Sequence, residues 1–375
     1  MPAVRPHDPP APSSLASTRG AAREGWASER DREASAAVGV PDLFVRDLER
    51  SRGLLALAAL LLALLLFSAL VGRYPAVGLL SFDQLANDEL AQRLLFNLRL
   101  PRLLTALLLG MTLSAAGMVF QLLFSNPLVE PGFLGVSQGA AFGAAFAIIF
   151  LDRAAFVTQA SAALFALTGL GISYLLAHRL RYGGWILRLV LAGIAVSALF
   201  SAGLGLLKYL ADPLTQLPEI TFWLLGGLAS LTWGKFVSVL PAVLVGLTII
   251  YLYRWRLNIL ALNEQTAFSL GVVAGRERLL LIFAAVLPTA ALISVSGMVG
   301  WVGLIVPHIA RRLFRADARF SLPGAMLLGG AFTLLCDDLA RTLLAGEIPL
   351  GILTSLFGAL VFLILMSLQQ AKPQP

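Results

Sequence analysis

Residues 54–71 read Leu54-Leu-Ala-Leu-Ala-Ala-Leu-Leu-Leu-Ala-Leu-Leu-Leu-Phe-Ser-Ala-Leu-Val71, a run with one hydroxyl and no charge. A helix needs about 20 apolar residues to cross a hydrocarbon core, and this run approaches that length. Runs of the same kind recur at 101–124, 132–151, 155–177, 186–210, 236–253, 279–296, 299–313, 322–345 and 350–368. In lipid the backbone has no water to bond, so each spanning segment must satisfy its own N–H and C=O groups, which a helix does. The short alternating strands of an outer-membrane barrel are not in the pattern. The sequence therefore predicts an all-α, polytopic membrane helical bundle of about ten transmembrane helices.

Composition points the same way. Of 375 residues, 58% are apolar and only 13% charged, whereas a soluble domain carries about 25% charged residues. Lys and Arg outnumber Asp and Glu by 28 to 21, a net +7, which raises nucleic acid as a partner. The distribution of the charge removes that reading. With the N-terminus inside, the inner loops 178–188, 254–278 and 311–319 hold eleven arginines against Glu264, Glu277 and Asp317. The outer segments balance seven basic residues against seven acids. Arginine-rich loops stay in the cytoplasm, so both termini are expected there and no nucleic acid is needed to explain the charge. The single cysteine, Cys336, excludes an intrachain disulfide framework.

Two regions follow. Residues 1–52 are rich in Pro, Ala and Ser, carry eight Arg against eight acids, and show no apolar period. Such a segment buries too little to offset its ordering entropy, so it is expected to be a disordered cytoplasmic extension. Residues 53–370 form the transmembrane domain.

Several blocks stand out within it. Gly135, Gly139 and Gly143 recur every fourth position, and Gly110, Ser114 and Gly117 form a similar stripe; such stripes let helix backbones approach closely. Asn126-Pro127-Leu128-Val129-Glu130-Pro131-Gly132 carries two prolines four apart and predicts a break near the inner surface. The inner stretch 257–278 predicts a short amphipathic helix ending at Gly271, with Leu262, Ala267, Phe268 and Leu270 facing a partner protein or the lipid headgroups. Gly303-Leu-Ile-Val-Pro307-His308-Ile-Ala-Arg311 places a proline, a histidine and an arginine at one helix end. His308 has no Cys, His or acid at ligand spacing, so a hydrogen-bonded role is expected and metal is not. Asp337 and Arg341 lie four apart on one helix face, where they can pair. No catalytic set emerges, and Gly234-Lys235 lacks the rest of a phosphate loop. If ATP drives this protein, another chain binds it.

Taken together, Arg99-Leu-Pro-Arg102, the Asn126–Gly135 block, Glu264 with Leu270-Gly271, the Gly303–Arg311 block, Asp337 with Arg341, and Glu347-Ile-Pro349-Leu-Gly351 resemble the permease subunits of type II ATP-binding-cassette importers for iron–siderophore complexes, haem and vitamin B12. The resemblance covers roughly 55–370. It implies a multi-pass permease of the bacterial inner membrane that acts as a dimer with itself or a close paralogue. It also implies two ATPase subunits, which bind ATP and Mg, and a periplasmic or extracellular substrate-binding protein. This chain would hold no cofactor and catalyse no reaction.

In that picture 257–278 forms the coupling helices, with Leu262, Asn263, Glu264, Ala267, Leu270 and Gly271 matching the block that meets the ATPase. Arg99, Arg102 and Arg341 would accept acidic side chains of the binding protein, with Asp337 orienting Arg341. Three departures accompany the resemblance. Asn263 stands where glycine is usual, Gly358-Ala-Leu-Val-Phe362 lacks the usual proline of the last helix, and the leader is long. The competing reading is an ion-gradient-driven secondary transporter, which requires acids at mid-membrane. The helix centres here hold almost none.

Overall fold

The computed structural model describes residues 40–73, 78–151, 154–262, 264–272 and 274–370. The chain separates into two compact units, Met1–Gly53 and Leu54–Pro375. In chain order the helices are α1 (Val40–Leu70), α2 (Phe82–Asn87), α3 (Glu89–Arg93), α4 (Leu100–Leu123), α5 (Val136–Phe150), α6 (Ala155–Arg179), α7 (Trp185–Leu210) and α8 (Gln216–Leu225). They continue as α9 (Trp233–Leu252), α10 (Arg254–Leu260), α11 (Glu264–Ser269), α12 (Ala274–Ser296), α13 (Val302–Phe314), α14 (Ala318–Thr342) and α15 (Leu350–Gln370). A two-residue antiparallel ribbon pairs Val71 with Leu79 and Gly72 with Gly78.

Each of the ten expected apolar runs contains a helix, and among the described residues eight helices are long and apolar enough to cross a membrane. The remaining two, α5 and α13, have 15 and 13 residues. Three details differ from expectation. The first helix starts at Val40, inside the stretch expected to be disordered, while residues 1–39 lie outside the described part. Local pairs favour this extra helix: Arg50 donates to Asp47 at 3.3 Å and Ser51 Oγ to the Asp47 carbonyl at 2.9 Å.

The run 132–151 is not one helix. Pro131–Leu134 forms a 3-10 turn, Gly135 takes a left-handed φ of +82°, and α5 begins after it. Glycine meets that conformation without a Cβ penalty, so Gly135 makes the turn into α5 as well as forming part of a packing stripe. Finally, α8 was not expected, because ten residues fall below any spanning length.

Packing sorts the helices by depth. The apolar window of the segment containing α4 is 78% buried, that of α1 only 11%. The central helix α4 packs along α14, α13 and α12, while α5, α6 and α7 pack on one another. Close approach explains the glycine stripes. A Cβ at Gly110 would collide with the Gly329 carbonyl oxygen and Thr333 Oγ1, and one at Gly117 with the Gly303 carbonyl oxygen. Thr333 Oγ1 uses that proximity to donate across the crossing to the Ala106 carbonyl at 2.7 Å. Between α5, α6 and α7 the rings of Phe142, Phe146, Phe165 and Phe200 fill the gap, with centroids 5.1–6.3 Å apart.

Candidate functional site

The densest polar cluster lies where the start of α4 meets the end of α14. Pro101 sits in the first turn of α4, directly after the π-helical segment Leu94–Arg99, and Arg102 follows. Arg102 Nε donates to Asp337 at 2.8 Å, and its Nη1 reaches Glu347 at 2.8 Å. Arg341 donates to Asp338, to the Val71 carbonyl at 2.7 Å and to the Ser68 carbonyl at 2.5 Å. Ser68 Oγ closes the ring by donating to Asp338 at 2.6 Å. Arg99 Nη1 donates to the Ala69 carbonyl at 3.3 Å.

The structure thus brings all three expected docking arginines together, around a cleft of about 340 Å³. It also changes two details. Arg102 and Arg341 are each only 8% exposed, because carboxylates of the same chain already occupy them. Asp337 is not principally the orienter of Arg341: its nearer partner is Arg102, while Arg341 leans on Asp338 and stays 3.5 Å from Asp337. Residues three and four apart on a helix both reach one face, so Asp338 competes for Arg341 once α4 delivers Arg102 to Asp337.

Two larger clefts are present, of which the first opens onto this network. One, of about 450 Å³, is lined by Arg102, Glu219, Lys235, Ser296, Glu347 and Pro349 among others. The other, about 880 Å³ and mainly apolar, lies where α8, α13 and α15 converge, with Glu130, Phe133, Trp301, Gly351, Ser355 and Phe362 on its wall. Trp301 holds a left-handed φ of +71°, a strained state for a bulky residue. Its ring pairs with Phe362 at 6.2 Å. A Cβ at Gly358 would stand 2.6 Å from that of Trp301, so the small residue seats the indole. Helix α15 contains no proline, as its sequence implies.

The Gly303–Arg311 block is a clamp on α4. Gln121 donates to the carbonyls of Gly303 at 3.2 Å and Leu304 at 3.0 Å, and Arg311 donates to Gln121 Oε1 at 2.6 Å and to Met118 Sδ at 3.3 Å. Pro307 lies inside α13, and His308 beside it is half-buried. In the 126–132 turn Asn126 Oδ1 accepts from the Leu128 N–H at 2.9 Å, a local turn bond that directs the chain into Pro127. Glu130, outside the spans, has its carboxyl pushed above the ordinary range by burial.

The inner stretch folds into α10 and α11. Asn258 ties α10 to the start of α14, donating to Asp317 and accepting from the Ala318 N–H, both at 2.8 Å. Burial raises the Asp317 carboxyl, but hydrogen bonds from Arg319 and Asn258 outweigh it and hold it below the usual range. In α11, Ala267 is fully buried, while Phe268 and Leu270 are 76% and 57% exposed and Leu262 is exposed before it. Gly271 ends the turn at φ +77°. Asn263 lies outside the described residues, and Glu264 opens α11.

Sequence reasoning passed over Ser68, Gln121 and Glu347 as partners. The first two are lone polar residues in apolar helices, and that is the signal: such a group must find an acceptor or donor on a neighbour. Among the described residues, no three His, Cys, Asp or Glu side chains are grouped to hold a metal ion.

Helices of spanning length, a glycine-paired core and an internal polar clamp at each end define a multi-pass membrane helical bundle. Residues 60–367 match the FecCD transport family, and the chain belongs to that family. The molybdate import system permease protein MolB of Haemophilus influenzae is 38% identical over 320 residues, covering 84% of this chain and 94% of that protein. The hemin transport system permease protein HmuU of Yersinia pestis is 37% identical over 323 residues, with 83% and 95% covered. A solved metal-chelate type ABC transporter in an inward-facing conformation superposes with a TM-score of 0.78 at 39% identity, covering 84% of this chain and 99% of that one.

Proposed function

We propose that this chain is the membrane subunit of an ATP-binding-cassette importer of the bacterial inner membrane that translocates a metal chelate, either an iron–siderophore complex, haem or a cobalamin. The observation that carries this reading is the family match across 60–367. Two copies, or one copy with a close paralogue, would enclose the path. The apolar 880 Å³ cleft suits it, since a large chelate must pass without binding tightly. Two ATPase subunits would hold ATP and Mg and push on α10 and α11, and a soluble binding protein would deliver cargo at the arginine cluster. The bundle would then alternate between inward- and outward-open states.

Uptake into proteoliposomes is expected to require ATP and the ATPase chains, and haem, ferric hydroxamate, cobalamin and molybdate are the cargoes to compare. Uptake driven by a proton or sodium gradient alone would favour secondary transport. That alternative needs an acid free to take a coupling ion, and Asp337 and Asp338 are both engaged by arginines.

The coupling role makes its own prediction. Ala267 anchors α11 and the exposed Phe268 and Leu270 point away from the bundle. Phe268→Asp with Leu270→Asp is expected to abolish co-purification of the ATPase chains while the permease keeps its thermal unfolding midpoint. Retained co-purification would remove α11 from the interface.

A further inference from the structure

We propose that Glu347 is a built-in placeholder for an acidic side chain of the binding protein, and that its displacement from Arg102 links docking to movement of α15. The inference rests on the docking role proposed above for Arg99, Arg102 and Arg341. Arg102 has two carboxylate partners of opposite character. Asp337 is completely buried on α14, whereas the Glu347 side chain is 44% exposed and offers both oxygens to Nη1, at 2.9 and 2.8 Å.

Breaking a fully buried pair is strongly resisted, while the Arg102–Glu347 pair, with one partner in contact with solvent, is cheaper to open. Glu347 is therefore the exchangeable member. An incoming carboxylate must approach from its side, because the two clefts that open onto Arg102 are both also lined by Glu347. Replacing one carboxylate by another keeps the local charge constant, whereas adding a third would set three acids around one guanidinium. The other buried arginine offers no such exchange, since its partner Asp338 is 11% exposed and sits three residues away on the same helix.

The position of Glu347 in the chain gives the exchange a consequence. It lies in the non-helical link between α14 and α15, held by the Ile348 N–H donating to the Ala340 carbonyl at 3.0 Å. Three residues on, α15 begins, and its Gly351 packs against the Leu225 and Met298 carbonyls on the wall of the apolar cleft. Releasing Glu347 removes one of the ties on this link and leaves the Ile348–Ala340 bond to hold the start of α15.

The test uses the complete transporter in liposomes with its binding protein. Glu347→Gln keeps the size but removes the charge that competes for Arg102. Docking is expected to tighten about five- to tenfold, and ATP hydrolysis without binding protein is expected to rise several-fold. Glu347→Asp, which retains the charge, is expected to return both towards the parent values. A merely structural Glu347 would give weaker docking or no change for Glu347→Gln. That outcome, with Arg99→Glu still weakening docking, overturns the placeholder and leaves the docking surface intact. If no arginine variant alters docking, the docking reading fails and the placeholder with it.

Discussion

Asp337→Ala is expected to destabilise the bundle by about 3–5 kcal/mol, because breaking a buried ion pair is strongly destabilising and Arg102 is left with the half-exposed Glu347 as its remaining carboxylate. Asp337 is wholly buried, binds Arg102 at 2.8 Å and stands 3.5 Å from Arg341. Neither arginine can turn to water without breaking its other bonds, to Glu347 in one case and to Ser68, Val71 and Asp338 in the other. The loss should appear as a lowered unfolding midpoint in detergent and a smaller yield of folded protein. The double variant Arg102→Met with Asp337→Leu separates charge from packing. Apolar replacement of a whole buried pair is often neutral, so the double variant should be markedly more stable than Asp337→Ala. A double variant as unstable as the single would mean that the pair contributes geometry and not charge balance.

This network also shows where sequence reasoning succeeds and where it stops. Spanning helices follow from local composition, so the ten apolar runs were legible one by one, and eight of them give helices of spanning length. That Asp337 and Arg341 share one helix face was legible too, because helical spacing is a local rule, although Arg341 bonds Asp338 and stays 3.5 Å from Asp337. Arg102 reaches Asp337 across 235 residues of chain, and no local rule brings them together. Gly135 illustrates the same boundary on a smaller scale. Its fourfold spacing with Gly139 predicted packing, and Gly135 does lie against Gly169. Its positive φ depends on the 3-10 turn before it, which spacing does not reveal. In the Gly303–Arg311 block, Arg311 and Gly303 were visible together, but their acceptor and donor, Gln121, was hidden among apolar neighbours of α4. Helix α8 escaped because length was the criterion, and it is too short to meet one.

Gly117→Ala is the second substitution with a large expected effect, although it adds only one methyl group. A Cβ at residue 117 would strike the carbonyl oxygen, carbonyl carbon and Cα of Gly303, all backbone atoms. No rotamer change relieves that collision, so α4 and α13 must move apart. The separation acts one turn further along, where Gln121 holds the Gly303 and Leu304 carbonyls and receives Arg311. Overpacking a tight core costs about 1–3 kcal/mol. Each weakened buried hydrogen bond adds about 1 kcal/mol, so a total of about 3–5 kcal/mol is expected. Gly171→Ala supplies the contrast, since nothing stands within 4 Å of a Cβ there and the residue lies inside α6. Alanine is the better helix former by about 1 kcal/mol, so Gly171→Ala should match or exceed the parent midpoint. If the two variants unfold at the same temperature, the contact of α4 with α13 at Gly117 does not limit stability. The clamp at Gln121 would then have to hold the inner end without close approach of the backbones.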